Sequence, residues 1–504
     1  MSFSKNTFTN IFGEISSEFN VYTIEDIASD EKRSIISGPF GSNISSKYFT
    51  EHGVPVIRGN NLTEDNTKFI DEGFVFVSEE KAKELNTYAD VDDLVFTAAG
   101  TIGQVGIIPE NSKFDRYVIS NKQLRVTLDL NKVNQHYAYY WFSSKLINKY
   151  IKQLNTGSTI PLINLTILKG LPIPLPSKDL QDKIANIIIN IDKKIEINKK
   201  INKNLEELIK HIYINWFEDF EPFKGNTFHD TKLGKIPNGW NVKPLHKFIK
   251  FQEGPGIRNW QYVEEDGINF LNIRCIQNND LILNTANMIS KEEANGKYAH
   301  FMLNEWDLVI SSSGTLGRYA IVRKEHLPLC LNTSIIRFKP LHSINHYAYI
   351  YSYLTSRGFY HYLLTMGSGS VQLNFGPTHL KQIDLIVPPE DVLKRYNETV
   401  FPIIEKIVKI KAEINKLTKL RDTLLPKLMS GEIDVSKINC DLKIIIRKIY
   451  IKSSKLFLWR YLSENKNYIK NTKSNETLLK SRTIYKINKF LAKFTTRYRY
   501  YRQQ

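Results

Sequence analysis

The chain has only three cysteines in 504 residues, Cys275, Cys330 and Cys440, and no CxxC pair. Neither a disulfide framework nor a thiolate zinc site can be built from such scattered thiols, and a reducing cytoplasm is the expected setting. Long apolar runs are missing as well. The densest, Ile184 to Ile191, contains Asn186 and Asn190, far short of the ~18 apolar residues a membrane span needs. The first residues, Met1-Ser-Phe-Ser-Lys-Asn6, are polar where a secretory signal would carry its apolar core.

Motifs that carry chemistry are equally scarce. Gly41-Ser-Asn-Ile-Ser-Ser-Lys47 lacks the glycine directly before lysine that a phosphate-cradling loop needs, and Gly254-Pro-Gly256 has no third glycine at dinucleotide spacing. No Asp/Asn-Pro-Pro-aromatic tetrapeptide of the amino-methyltransferase kind occurs; Pro388-Pro389-Glu390 follows Val387 and reads as a strand-to-helix joint. His342 and His346 are four apart, but without a glutamate after the first or a third ligand they read as helix-start residues. Asp92 and Asp93 precede a strand and read as turn formers rather than an acid/base pair. These absences argue against a nuclease, methyltransferase or helicase working alone.

What is present is a composition of 42% hydrophobic and 24% charged residues, enough to bury real cores, in a length that suits about three domains. The net charge of +17 points to an acidic partner. It is unevenly placed, since residues 436–504 hold 18 Lys+Arg against 3 Asp+Glu and leave the rest of the chain nearly neutral. Contact between the remainder and an acidic partner must therefore rest on local patches.

The chain also repeats itself. Asp93-Leu-Val95 with Gly100-Thr-Ile-Gly103 recurs as Asp307-Leu-Val309 with Gly314-Thr-Leu-Gly317, an offset of 214. His136-Tyr-Ala-Tyr139 recurs as His346-Tyr-Ala-Tyr349, and Gly157-Ser158 with Asn164 as Gly367-Ser368 with Asn374, at an offset of 210. Such a period is too long for a solenoid and indicates a duplicated domain pair. Each copy starts with short β-type runs, among them Val54–Ile57, Leu94–Phe96, Gly106–Ile108, Ile268–Leu271, Leu308–Ile310 and Ile335–Phe338, with one or more short helices expected, for example around His136 to Tyr150.

A long helical pattern follows each copy. Ile184, Ile187, Ile191, Ile195, Leu205, Leu208 and Ile212 recur at helical spacing in the first, and Val400, Ile403, Ile407, Ile410, Ile414, Leu417, Leu424 and Leu428 take alternating four-three steps in the second. Pro402 is expected to start or kink the second helix. The expected fold class is α+β, with two duplicated modules separated by two long coiled-coil helices: residues 1–176 and 223–388 for the modules, 177–222 and 389–435 for the helices, and 436–504 for a basic, aromatic tail.

Several motifs in order resemble a known family. Trp216-Phe-Glu-Asp-Phe-Glu-Pro222 followed by Leu233-Gly-Lys-Ile-Pro-Asn-Gly-Trp240, together with Ser37-Gly-Pro-Phe-Gly-Ser42, Gly157-Ser-Thr159 and Leu424-Leu-Pro-Lys-Leu-Met-Ser-Gly-Glu-Ile433, are similar to the specificity subunits of type I restriction-modification systems. The resemblance covers roughly residues 20–435. It implies two target recognition domains, each reading half of a split site in double-stranded DNA, and two antiparallel helices related by a pseudo-two-fold that act as a ruler. It implies a non-catalytic chain that recruits two modification (methyltransferase) subunits and restriction (translocase-nuclease) subunits. S-adenosylmethionine, ATP and magnesium would then sit on those partners, and no cofactor, metal or membrane on this chain. The alternatives are a protein–protein adaptor built on the coiled coil and a stand-alone DNA-modifying enzyme.

Base readout favours Arg toward guanine and Asn or Gln toward adenine. The candidates in the first module are Arg58, Asn60, Asn61, Thr101 and Gln104, with Lys47, Arg116 and Lys122 as phosphate contacts, which position without specifying. In the second they are Arg274, Gln277, Thr315, Arg318 and Asn332, with Arg258 for phosphate. The tail departs from the family pattern, and its interleaved basic and aromatic residues suit nucleic-acid contact.

Overall fold

A computed structural model describes residues 4–63, 68–157, 160–366 and 374–436. The basic tail beyond residue 436, Ser158-Thr159, and the repeated Gly367-Ser368 lie outside the described residues.

Runs rich in β-branched and aromatic residues pair into two sheets of four or five strands in each half, beside smaller two-stranded pairs. In the first module Ile35–Ser37, Gln123–Val126, Leu94–Thr97 and Val105–Ile107 form an antiparallel sheet in that spatial order. Ile249–Glu253, Ile335–Pro340, Leu308–Ser311 and Tyr319–Ile321 repeat it in the second. A neighbouring sheet carries one parallel pair in each copy, Val54–Ile57 with Tyr117–Ile119 and Ile268–Phe270 with Leu329–Cys330. The fold is α+β and duplicated strand for strand in its central sheets.

The offset of the duplication is 214 from the Gly59 turn through strands Leu94–Thr97 and Val105–Ile107, and 212 from Gln123–Val126 onward, not 210. Tyr137 donates to the carbonyl of Pro174 at 2.7 Å, and Tyr349, rather than Tyr347, makes the matching bond to Ile386. Tyrosines at every second position from Tyr347 to Tyr353 let the His-Tyr-Ala-Tyr string match two residues out of structural register. In the same way Asn164, which caps Leu165–Lys169 by accepting from Ile167 N–H at 2.9 Å, is matched by Gly376 ahead of Pro377–Leu380, not by Asn374. The stretch around His136 to Tyr150 forms two short helices, Gln135–Phe142 and Lys145–Gln153, separated where Ser144 caps the second.

The long helices span Lys178–Phe217 and Glu390–Ser430, about 60 Å each at 1.5 Å per residue. They are antiparallel: the Trp216 ring lies 5.4 Å from Tyr396, whereas Lys194 pairs with Glu413 at 3.4 Å and Asp192 with Arg421 at 2.9 Å. Pro402 does not start the second helix, which begins twelve residues earlier at Glu390 and also contains Pro426. Neighbours Val400, Ile403 and Ile404 are buried in the second module's core, and this packing offsets the missing backbone N–H. The seam between the helices is also less apolar than its pattern suggests. Asn198 and Asn202 are buried in its middle, at 1% and 6% exposure, the kind of polar pair that sets register at a cost in stability.

Each module closes its core on both helices. Ile184, Ala185 and Ile188 of the first helix and Leu425, Leu428 and Met429 of the second join the first module. Ile209, Tyr213 and Phe217 with Tyr396, Ile403 and Ile407 join the second. The two modules are therefore held at opposite ends of one rod.

A buried carboxylate opens the same strand in each copy. Asp93 accepts from Asp90 N–H and Asp307 from Asn304 N–H, both at 2.9 Å, closing the turns ahead of Leu94 and Leu308. Asp307 meets two cations, Arg337 at 3.4 Å and Lys339 at 3.1 Å. Asp93 meets Arg125 at 3.7 Å, and where the second module has Lys339 it has Thr127, whose hydroxyl donates at 2.5 Å. Burial pushes the Asp93 carboxyl up to about 6, against the pull of Arg125 and Thr127. A folded value above the ~3.9 of an unfolded chain means that the folded form holds the proton more tightly. That contribution is full at low pH and is lost as pH rises from about 4 through about 6. Thr127→Lys, copying the second module, is expected to stabilise the chain by up to about 2 kcal/mol at neutral pH and by less at about pH 5. Thermal midpoints at the two pH values check this, and an equal gap at both would contradict it.

Candidate nucleic-acid interface

Strand direction gathers the loops of each module at one end of its central sheet. In the first, Gly38 N–H donates to Gln123, Ala98 N–H to Lys122, Thr97 N–H to Gln104 and Ser120 N–H to Ile57, all within 3.0 Å. The second repeats the arrangement: Ser311 N–H donates to Arg318, Ser312 N–H to Ser334 and Thr333 N–H to Pro255. The Gly-Pro turns are forced by close approach. A Cβ on Gly38 would stand 1.8 Å from the Ser120 carbonyl oxygen, and one on Gly254 would stand 2.5 Å from the Asn332 carbonyl.

This loop cluster collects some of the sequence candidates. Asn60 in the turn Gly59–Asn61 and Arg274 in the turn Ile273–Cys275 occupy equivalent positions, and both are exposed. Thr101 and Thr315 are exposed on the matching glycine turns, and Lys122 is exposed beside them. Gln277 is exposed after Ile276, and Arg58 is half-buried as the Gly59 turn opens.

Others are structural. Asn61 is fully buried; its Oδ1 accepts from Arg58 N–H, and its Nδ2 donates to the carbonyls of Ile70 and Glu72, each at 3.0 Å. It has nothing left for a base. Gln104 is a latch, accepting from Thr97 Oγ1 at 3.0 Å and donating to the Leu62 carbonyl at 3.1 Å. Arg318 makes the equivalent contact, to the Ile276 carbonyl at 3.5 Å, yet stays exposed. Asn332 accepts from Ser334 N–H at 3.0 Å and shapes the turn that Gly254 packs on.

Three basic candidates fall away from the cluster. Arg116 pairs with Asp90 at 2.7 Å and lies over Tyr88, at the opposite end of strand Tyr117–Ile119 from Lys122. Lys47 lies over the Tyr48 ring at 4.6 Å, on the side of Lys81. Arg258 precedes Asn259–Gln261, whose Gln261 side chain donates to Glu293 at 2.8 Å on the far side of the second sheet. A lone basic residue in a sequence carries no mark of which strand end it will occupy, so these three were not separable from Lys122.

Sequence reasoning passed over Asn278, exposed at the tip of a hairpin beside Gln277 and Arg318. A weak signal was available, as Asn278-Asn279 lies between Gln277 and Asp280 with Ile276 and Leu281 outside them, and asparagine is a turn residue that tolerates positive φ. The two histidines do not share a helix face: His342 Nε2 contacts the Lys247 carbonyl at 2.9 Å, whereas His346 stacks on Phe248 and pairs with Glu390 at 2.7 Å. Among the described residues no cluster of His, Cys, Asp and Glu is placed to hold a metal, and no helix is long and apolar enough to cross a membrane.

A family model described as the type I restriction modification DNA specificity domain matches residues 16–207 and again 237–420, about three quarters of the chain. The type I restriction enzyme MjaIX specificity subunit of Methanocaldococcus jannaschii is 29% identical over 447 residues, covering 84% of this chain and 96% of that one. The HindI specificity subunit of Haemophilus influenzae is 24% identical over 385 residues, covering 64% and 83%. A solved structure of a type I restriction-modification S subunit from M. genitalium aligns over 82% of this chain and 96% of its own, with 18% identity and a TM-score of 0.49. With the family model matched once on each duplicated half, the chain belongs to the type I restriction-modification DNA specificity family, as the component that recognises DNA rather than one that modifies or cuts it.

Proposed function

We propose that the chain reads a bipartite site in double-stranded DNA, one module per half-site, and presents that site to two modification subunits and, for cleavage, to restriction subunits in the cytoplasm. The carrying observation is that the same loop cluster stands at the same sheet end of two modules fixed at opposite ends of an antiparallel rod. Two separated reading heads on a rigid spacer suit two half-sites a fixed distance apart. Methyl transfer and cleavage would take place on the partners, which would carry S-adenosylmethionine, ATP and magnesium.

Asn60 and Arg274 supply the test because they are exposed and equivalent. Coexpression with the modification subunits, followed by methylation mapping, is expected to show a bipartite motif. Asn60→Ala should relax one half and Arg274→Ala the other, each by roughly 5- to 150-fold in discrimination, the range of one base contact. A continuous motif, or one substitution degrading both halves equally, would refute the reading.

A further inference from the structure

In the second module Ile276–Leu281 folds into a two-stranded ribbon, with Ile276 opposite Leu281 and Gln277 opposite Asp280. Asn278 and Asn279 close it with φ of 52° and 58°, the left-handed pair whose twist matches a ribbon and which Asn adopts more readily than most residues. The tip is fastened to both long helices. Asn279 Nδ2 donates to Glu206 at 3.0 Å on the first helix, and the Asn279 carbonyl accepts from Lys411 Nζ at 2.6 Å on the second. Glu206 and Lys411 pair with each other at 3.1 Å, both largely buried. At the ribbon's base the buried Arg323 holds Asp280.

The groups this fastening leaves over border an open cleft of about 420 Å³ lined by Ile276, Gln277, Asn278, Asn279 and Arg318. Gln277 donates through Nε2 to the Arg274 carbonyl at 2.8 Å and keeps Oε1 as an acceptor. Arg318 has a single long contact through one guanidinium nitrogen, and Asn278 is exposed. Two amides and a guanidinium line one open cleft at this ribbon, and the major groove admits a two-stranded ribbon and offers these groups bidentate partners on adenine and guanine.

We propose that the tip of this ribbon is a base-reading element of the second module, in which Asn278, Gln277 and Arg318 contact base edges in the major groove while Glu206 and Lys411 position it against the spacer. The proposal rests on the bipartite reading above. It makes the reading head and the ruler one bonded unit, so that displacing the helices at Lys411 displaces the amides that read.

The test uses the complete chain assembled with its modification subunits. Asn278→Ala and Gln277→Ala alter exposed groups, and Asn278→Gly, which removes the amide yet accepts the φ of 52°, separates lost readout from backbone strain. Each is expected to relax discrimination roughly 5- to 150-fold at one or two positions of one half-site, on the side nearer the spacer, with the other half-site unaltered. Lys411→Met should keep the preferred bases but slow methylation of the cognate site by at least about tenfold, and Lys411→Arg should restore the rate. An unchanged motif and rate in the Asn278→Ala, Gln277→Ala, Arg318→Ala triple variant would overturn the proposal, as would relaxation spread over both half-sites. A continuous motif in the parent complex would count against the bipartite reading alone, since loss of discrimination within that motif still tests the ribbon.

Discussion

Arg421→Met is expected to cost the folded chain about 3–5 kcal/mol, the range for removing one partner of a buried ion pair. Arg421 is 6% exposed on the second long helix. It donates to Asp192 of the first helix at 2.9 Å and to Asp422 at 2.9 Å. The other oxygen of Asp192 accepts from Tyr140, on a helix of the first module, at 2.6 Å. Burial and the neighbouring Asp192 push the Tyr140 hydroxyl far up, so it stays protonated and donates. Three elements thus meet at one carboxylate. Without Arg421 that carboxylate stays buried with a single neutral donor, and the second helix loosens from the first module. Asp192→Leu combined with Arg421→Met is expected to recover most of the loss, because neither member of the ion pair is then left buried without the other. Thermal or denaturant unfolding of the two variants checks this. A single substitution as mild as a surface change, under about 0.5 kcal/mol, would show that the network is not what joins module to rod.

The second large effect concerns spacing. One heptad inserted after Lys200 and one after Ala412 would lengthen both helices between the Lys194–Glu413 and Glu206–Lys411 cross-links. Each insertion adds about 10 Å at 1.5 Å per residue, or about three base pairs at ~3.4 Å each, and keeps the seam in phase because seven residues preserve the repeat. Methylation at the parental site is expected to fall by more than about 100-fold, since a reading head displaced by several ångströms loses base contacts worth ~1–3 kcal/mol each. Modified sites in the variant should show half-sites farther apart by up to about three base pairs. Mapping methylated positions reads both outcomes. Unchanged methylation at the parental spacing would show that the rod does not set the distance.

Much of this molecule was legible in its sequence because repetition and periodicity are linear signals. The Gly-Thr turns at an offset of 214 exposed the duplication, and stripes of Ile and Leu marked two helices of 40 and 41 residues. The same linear reading slipped at the tyrosine-rich helix, where an alternating pattern fits two registers and only the hydrogen bonds of Tyr137 and Tyr349 choose between them. It also expected Pro402 to start or kink the second helix, because a missing N–H is visible in sequence whereas the core packing that lets the helix begin at Glu390 is not.

The candidate site divides along the same line. Residue chemistry alone identified Asn60, Asn61, Gln104 and Arg274 as groups able to read a base, and it determined that no self-sufficient catalytic motif accompanies them. Tertiary structure decided which are free to do so. The first module buries Asn61 on its own backbone and ties Gln104 to the Thr97 hydroxyl and the Leu62 carbonyl, while Asn60, with one 3.4 Å bond to the Gly73 carbonyl, and Arg274 stand exposed on equivalent turns. Hydrogen-bonding capacity belongs to the residue and can be read from its letter. Whether that capacity is already satisfied depends on which carbonyls the fold brings within 3 Å, and those come from Ile70, Glu72 and Leu62, neighbours set by chain folding rather than by the side chain itself.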